Sequence, residues 1–179
     1  HGVGMPLADV VEPDPHQQRA WVDTLDRLDP LWVSEHLAFM RVPTDTTDPT
    51  RSEHSGFLLP PLQNDDTVAL AVHRIRRLRD LSQRPVAFEN PTNYLRPQPG
   101  DIPDGEFLAR VAVEADCGIL LDVHNLYCNQ LNGRDSMQSV LEALPLDRVW
   151  ELHLAGGESR DGFWLDAHSG LVPPDVIAL

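Results

Sequence analysis

The sequence predicts an α/β fold built on a parallel sheet whose strands carry chemistry at their C-terminal ends. Three observations predict it. Short apolar runs alternate with amphipathic stretches at helical spacing, the pattern of successive βαβ units. Four of the runs, residues 32–36, 85–89, 118–122 and 149–153, close on His36, Glu89, Asp122 and His153. After Glu89 the dipeptide Asn90-Pro91 turns the chain away. The carboxylate is thereby left at the sheet edge where open α/β sheets and β/α barrels hold their sites.

Taken in order, residues 1–5 read as the tail of a strand whose beginning is absent. Asp14 is a natural cap for a helix over 15–28, with Pro15 at its first position and Ala20, Val22, Leu25 and Leu28 near helical spacing. Residues 31–37 form a strand. The segment 41–63, rich in Pro, Thr, Asp and Ser, lacks a regular period and leaves the functional end of that strand. A loop of this length predicts a lid or substrate contact, with a solvated insertion an equal alternative for its first half. Its second half, 56–62, is too apolar for water and should pack on the rim of the site.

Asp65 or Asp66 can cap the next helix, with Val68, Leu70, Ala71, Ile75, Leu78 and Leu81 inward and Arg74, Arg76, Arg77 and Arg79 on its wet side. Strand 85–89 follows, then a loop over 96–104 and a helix burying Phe107, Leu108, Val111, Ala112 and Ala115. Gly118 suits that helix's C-terminal turn. Strand 118–122 leads into a second loop over 124–133, and Asp135 caps a helix running to Leu144. Strand 149–154, a tight turn at 155–157, a short strand over 164–168 and a helix opened by Pro173-Pro174 complete the chain. Alternation of this kind implies right-handed crossovers between parallel strands.

Length bounds the answer: 179 residues suit one domain over 1–179, yet fall short of the roughly 200 or more that an eight-fold barrel takes. A formal charge of −14, with every basic residue an arginine, argues against nucleic acid as a partner. No apolar run approaches the ~18 residues of a membrane span, and a signal-peptide pattern is missing, so a cytoplasmic location with no membrane partner is expected. Cys117 and Cys128 are too few for a thiolate zinc site or a disulfide framework, and burial is their expected role.

His1, His36, Glu89, Asp122, His153, Asp166 and His168 all fall at or just past predicted strand ends, where they would converge. A lone residue of this kind is more often a hydrogen-bonded structural group. Repetition changes that, because so many ionisable groups in one pocket would be desolvated at large cost without cations among them. Mixed imidazole and carboxylate donors favour iron, manganese or zinc, and three carboxylates allow bridging between ions. His16 and His73 belong to helix surfaces, and the role of His54 in the long loop stays open.

The same residues carry a resemblance. Ser34-Glu-His36-Leu-Ala-Phe39, Leu58-Leu-Pro60-Pro-Leu62, Glu89-Asn-Pro-Thr-Asn-Tyr94, Glu106-Phe-Leu108, Cys117-Gly-Ile-Leu-Leu-Asp122-Val-His-Asn125, Asn132 and Glu151-Leu-His153-Leu-Ala-Gly156 occur in one order along almost the whole chain. Together they resemble the multinuclear non-haem iron-dependent oxidative enzymes, the family of the methanobactin biosynthesis enzyme. The resemblance implies a TIM-like (β/α) barrel, incomplete here at about five β/α units and lacking the first strands and the C-terminal end.

It further implies two or three irons in mixed Fe(II)/Fe(III) states, with dioxygen as co-substrate. The implied substrate is a Cys-containing, ribosomally made precursor peptide, oxidised at cysteine, with a separate precursor-recognition protein as the expected partner. By matching motifs, His1, His36 and Glu89 would hold one iron, Glu89 would bridge to a second, and Asp122, His153, Asp166 and His168 would supply the rest. Asn125 would ligate or orient, and the role of His124 stays open. His36, Glu89, Asp122 and His153 would be the catalytic set. Gly157 and Glu35 depart from the family's usual His and Asp. The alternatives are a divalent-metal hydrolase or isomerase of the xylose isomerase-like or endonuclease IV-like kind, and an inactive truncated or metal-storing homologue.

Overall fold

In the computed structural model, residues 1–2, 4–45, 47–48 and 51–178 are described. Val3 of the expected opening strand tail, and Thr46, Pro49 and Thr50 of the expected long loop, lie outside them. The architecture is mixed α/β. Four parallel strands, β1 (Val33–His36), β4 (Val86–Glu89), β5 (Gly118–Asp122) and β6 (Val149–His153), form a sheet in the order β1-β4-β5-β6. Between β1 and β4 lie β2 (Phe39–Pro43), β3 (Ser52–Leu59) and helix α2 (Asp65–Ser82). Helix α3 (Asp104–Ala115) joins β4 to β5, and α4 (Val123–Leu131) and α5 (Met137–Ala143) join β5 to β6. Helix α1 (Pro15–Leu28) precedes the sheet; β7 (Glu158–Arg160), β8 (Phe163–Leu165) and α6 (Pro174–Ile177) follow it.

Every residue of β4 and β5 is buried, which is why both read as continuous apolar runs rather than alternating ones. Phe88, Ile119, Val111, Ala112 and Ile75 are fully enclosed where the sheet meets α2 and α3. Removing that apolar surface from water, at roughly 25 cal/mol per Å², is the main force holding the helices to the sheet. The inward face of α3 is the one expected, and Phe107, Leu108, Val111, Ala112 and Ala115 are all buried. Register does the positioning: His36 lies opposite Glu89 across β1 and β4, and Asp122 opposite His153 across β5 and β6.

Six expectations about elements are corrected. Residues 41–63 are largely an antiparallel hairpin, β2 with β3, tied to the chain's start by Asp9 Oδ1, which accepts from the Met40 and Arg41 amides at 2.7 and 2.9 Å. Pairing with itself, the hairpin needs no apolar face, so no alternation marks it. Residues 124–133 are helical because Asp122 caps α4, accepting from the Asn125 amide at 2.9 Å. The polar side chains there serve a neighbouring loop rather than solvent.

The caps of α2 and α5 are Asn64 and Ser136, one residue before and one after those expected. Asp135 instead accepts from the Asp104 amide at the start of α3. Gly118 does not end α3; Asp116 takes the left-handed turn at φ 51°, and Gly118 opens β5. A Cβ there would run into the Trp150 ring, which lies over Gly118 and leaves no room for a side chain. Finally, Arg74 is buried, donating to Asp9 O at 3.0 Å and pairing with Glu12 at 2.6 Å, whereas Arg76 and Arg77 are exposed as expected.

Candidate metal centre

The C-terminal ends of the four parallel strands open into a cavity of about 570 Å³. His1, His36, Glu89, Asp122, Asn125, His153, Asp166 and His168 all line it, so every predicted ligand position faces one space. His16 and His73 are exposed on their helices, and His54 is exposed on β3, where its ring accepts from the Gly56 amide.

Glu89 stands at the centre, 5% exposed and contacted by three imidazoles. Its Oε2 lies 3.0 Å from His1 Nε2 and 2.9 Å from His36 Nε2, and those two nitrogens are 3.2 Å apart. Donor atoms on the face of an octahedron with bonds of about 2.1 Å sit about 3 Å apart, so this triangle has the edges of a coordination face. Its other oxygen, Oε1, lies 3.0 Å from His153 Nδ1. Glu89, Asp122 and His153 form a second group whose donor atoms lie within 4.8 Å of one another. One carboxylate therefore presents a separate oxygen to each of two donor sets.

Hydrogen bonds behind the rings set which nitrogen is free. Ser34 Oγ is 2.9 Å from His1 Nδ1, and Gly2 O is 3.1 Å from His36 Nδ1, leaving each Nε2 for the cavity. Glu151 Oε1 lies 3.2 Å from His153 Nε2, leaving Nδ1 toward Glu89. Outer partners of this kind fix the tautomer and aim of a metal-binding imidazole.

Electrostatics point the same way. Burial opposes charge on His36, but its hydrogen bonds and charge contacts with Glu35 and Glu89 outweigh that and raise its pKa from 6.5 to about 9. A proton thus holds the place between carboxylate and imidazole that a cation would take. Burial chiefly, then the like charges of Glu89 and Asp166, raises the Asp122 carboxyl above 3.8 despite the Asn125 amide.

A third cluster lies beside these. Asp166 Oδ1 is 3.3 Å from His168 Nε2 and 3.2 Å from His124 Nδ1, yet neither this oxygen nor His124 Nδ1 has a hydrogen bond of sound geometry. Such an orphaned buried acceptor fits a cation or a donor from a ligand. His124 is fully enclosed, and its Nε2 accepts from the Trp164 indole at 3.1 Å, so in the neutral ring the proton sits on Nδ1, facing Asp166. His124 thus closes the back of this cluster, 3.2 Å from Asp166 but without a well-formed bond to it. Asn125 Oδ1 accepts from Thr92 at 2.7 Å. The loop after β4 is laced to α4 by Asn90, Asn93, Asn125 and Asn129, each bonded across to the other segment or to Asp122.

Apolar and aromatic side chains complete the lining: Phe57, Leu58, Leu59 and Pro60 of the hairpin's end, with Pro91 and Tyr94. Residues 57–60 of the stretch expected on the rim line the cavity, but Phe57 and Leu62 remain largely exposed to solvent. Sequence reading missed Glu35, Glu151, Thr92 and Tyr94 as partners of the site. Tyr94 OH accepts from the Asp166 amide at 3.0 Å, and burial pushes its pKa up to about 12, so it stays a phenol. Burial also raises Cys117 to about 12 and Cys128 to about 11. Burial thus disfavours the thiolate form of both.

A family model described as "RiPP precursor modification enzyme MbnB/TglH/ChrH" matches residues 1–179. A UPF0276 protein of Anaeromyxobacter sp. (strain Fw109-5) is 33% identical over 179 residues, covering 98% of this chain and 59% of its own length. One from Chromobacterium violaceum is 33% identical over 176 residues, covering 98% and 61%. One from Caulobacter vibrioides is 35% identical over 182 residues, covering 100% and 62%. The chain thus spans about three fifths of the length of these relatives.

Proposed function

The chain belongs to the MbnB/TglH/ChrH family of RiPP precursor modification enzymes, and we propose that it oxidises cysteine in a ribosomally synthesised precursor peptide with iron and dioxygen. Glu89 carries the reading. Two imidazoles and one carboxylate oxygen on a single face are the donor set of non-haem Fe(II) oxygenases, which leave the remaining positions open for substrate and dioxygen. Its second oxygen beside His153 and Asp122 provides for another ion, and Asp166 with His168 for a third. Bound there, iron would supply the electrons and the open coordination positions that dioxygen chemistry requires.

The residues of this chain divide the remaining work. His1, His36, Glu89, Asp122, Asn125, His153, Asp166 and His168 would hold the ions, with His36, Glu89, Asp122 and His153 as the catalytic set. Ser34, Gly2 O and Glu151 fix the imidazoles behind them. The apolar wall from Phe57 to Pro60, with Tyr94, receives the peptide beside its cysteine and excludes water. We read β1, β4, β5 and β6 as neighbouring strands of a β/α barrel forming a single domain, with a separate precursor-recognition protein delivering the substrate.

The test is iron analysis and electron paramagnetic resonance on anaerobically purified protein, followed by oxygen uptake when a Cys-containing peptide or its Ser counterpart is added. Uptake should require both iron and the thiol. Turnover by metal-free protein, or turnover without dioxygen, would overturn the reading and favour a hydrolase or isomerase.

A further inference from the structure

We propose that Glu35 is a positioning residue that clamps the chain's first residues onto β1 and thereby holds His1 at its spacing from His36 and Glu89. The proposal rests on the reading of those three residues as a metal site. Among the described residues β1 is the outer strand of its sheet, and Gly2 and Leu7 bond to its free side: Gly2 N donates to Ser34 O at 2.8 Å and Leu7 N to His36 O at 3.0 Å. Between these anchors the Gly4 and Met5 amides find no strand carbonyl. Glu35 Oε2 accepts from both, at 3.1 and 2.9 Å.

Its other oxygen, Oε1, accepts from the His36 amide at 3.0 Å and lies 3.3 Å from His36 Nδ1. One carboxylate, 1% exposed, therefore ties the segment carrying one imidazole to the residue carrying the other. The fit is close. A Cβ on Gly2 would lie 2.7 Å from Glu35 Oε2 and 3.4 Å from Ser34 O. An oxygen pinned by two amides cannot give way cheaply, so any side chain at position 2 would pry the segment from the clamp.

A glutamine cannot replace Glu35. Its amide has one oxygen and one NH₂ group, and the NH₂ must face amide donors either at Gly4 and Met5 or at His36. One half of the clamp is lost whichever way it turns.

The experiment is anaerobic Co(II) titration of the chelator-treated full chain, read by the cobalt absorption bands, for wild type, Glu35→Gln, Gly2→Ala, His1→Ala and the Glu35→Gln/His1→Ala double variant. Glu35→Gln and Gly2→Ala should each weaken the cobalt site held by His1, His36 and Glu89 by about 10–100-fold, the scale of outer-partner losses at metal sites. On the His1→Ala background Glu35→Gln should cost less than about threefold more, because the imidazole it positions is already gone.

Wild-type cobalt affinity in Glu35→Gln, or a full undiminished loss added to that of His1→Ala, overturns the clamp. If Glu35→Gln does not fold, Gly2→Ala decides alone, since it keeps the carboxylate; wild-type affinity there also overturns it. A wild-type chain with no cobalt site sensitive to His36→Ala refutes the metal reading itself, a result distinct from an intact site indifferent to Glu35.

Discussion

Metal-free protein should lose stability as the solution is made alkaline, and His36 sets the size of the loss. Its side chain is 18% exposed and lies 2.9 Å from Glu89 Oε2 and 3.3 Å from Glu35 Oε1. Burial disfavours the imidazolium, yet the two carboxylates raise its pKa from 6.5 to about 9. A folded value above the unfolded one means that the native state binds the proton more tightly. The stabilisation is full below pH 6.5 and disappears as the pH rises through about 9. At 1.36 kcal/mol for each pH unit of difference, the interval corresponds to about 3 kcal/mol.

Urea unfolding of chelator-treated protein at pH 6 and pH 10, beside His36→Gln, isolates this group. Wild type should lose about 3 kcal/mol more than the variant over that range. Equal losses would refute the argument. Adding a divalent metal should reverse the sign, because coordination needs the neutral ring and so strengthens as the proton leaves.

Asp122→Asn should stabilise the metal-free chain while weakening its metal site. It removes a carboxylate held above its ordinary pKa by burial and by Glu89 and Asp166, yet it keeps an oxygen to cap α4. We expect an unfolding midpoint higher by about 2–4 °C after chelation, the shift that ~1 kcal/mol gives at this size. Cobalt affinity should fall at least ~10-fold; scanning fluorimetry and cobalt titration read the two effects, and a lower midpoint would count against the repulsion. Arg134→Met should cost about 3–5 kcal/mol in urea unfolding, because it strands the buried Asp104 carboxylate that Arg134 pairs with, and releases Gln63 and Leu95 O. A loss under ~1 kcal/mol would mean that water replaces the guanidinium.

The strand ends were legible because an apolar run closed by an ionisable residue encodes both a buried strand and a side chain at its mouth. His36, Glu89, Asp122 and His153 are all of this kind, and the sheet's register then brings them together. The hairpin β2–β3 was not legible, since it pairs with itself and shows no alternation over Ser52–Leu59, where Gly56 sits at φ 80°. Helix α4 was hidden by its composition: Asn125 and Asn129 look like loop residues until the segment after β4 is seen to use them as partners. Arg74 falls among charged neighbours, and only its fold-dependent contacts with Asp9 and Glu12 draw it inward. Glu35 has the same character, because its value depends on a chain segment 30 residues away in sequence.

Sharing Glu89 between both donor sets has a consequence for loading. On the proposed reading, ions held on either side of this carboxylate would repel each other across it and compete for its electron density, so filling one position would change the affinity of the other. Titrations should then show interdependent steps rather than two separate sites, and replacing Glu89 would empty both together. Whatever charge one ion gains or gives up in a redox event would be felt by its neighbour through a single side chain.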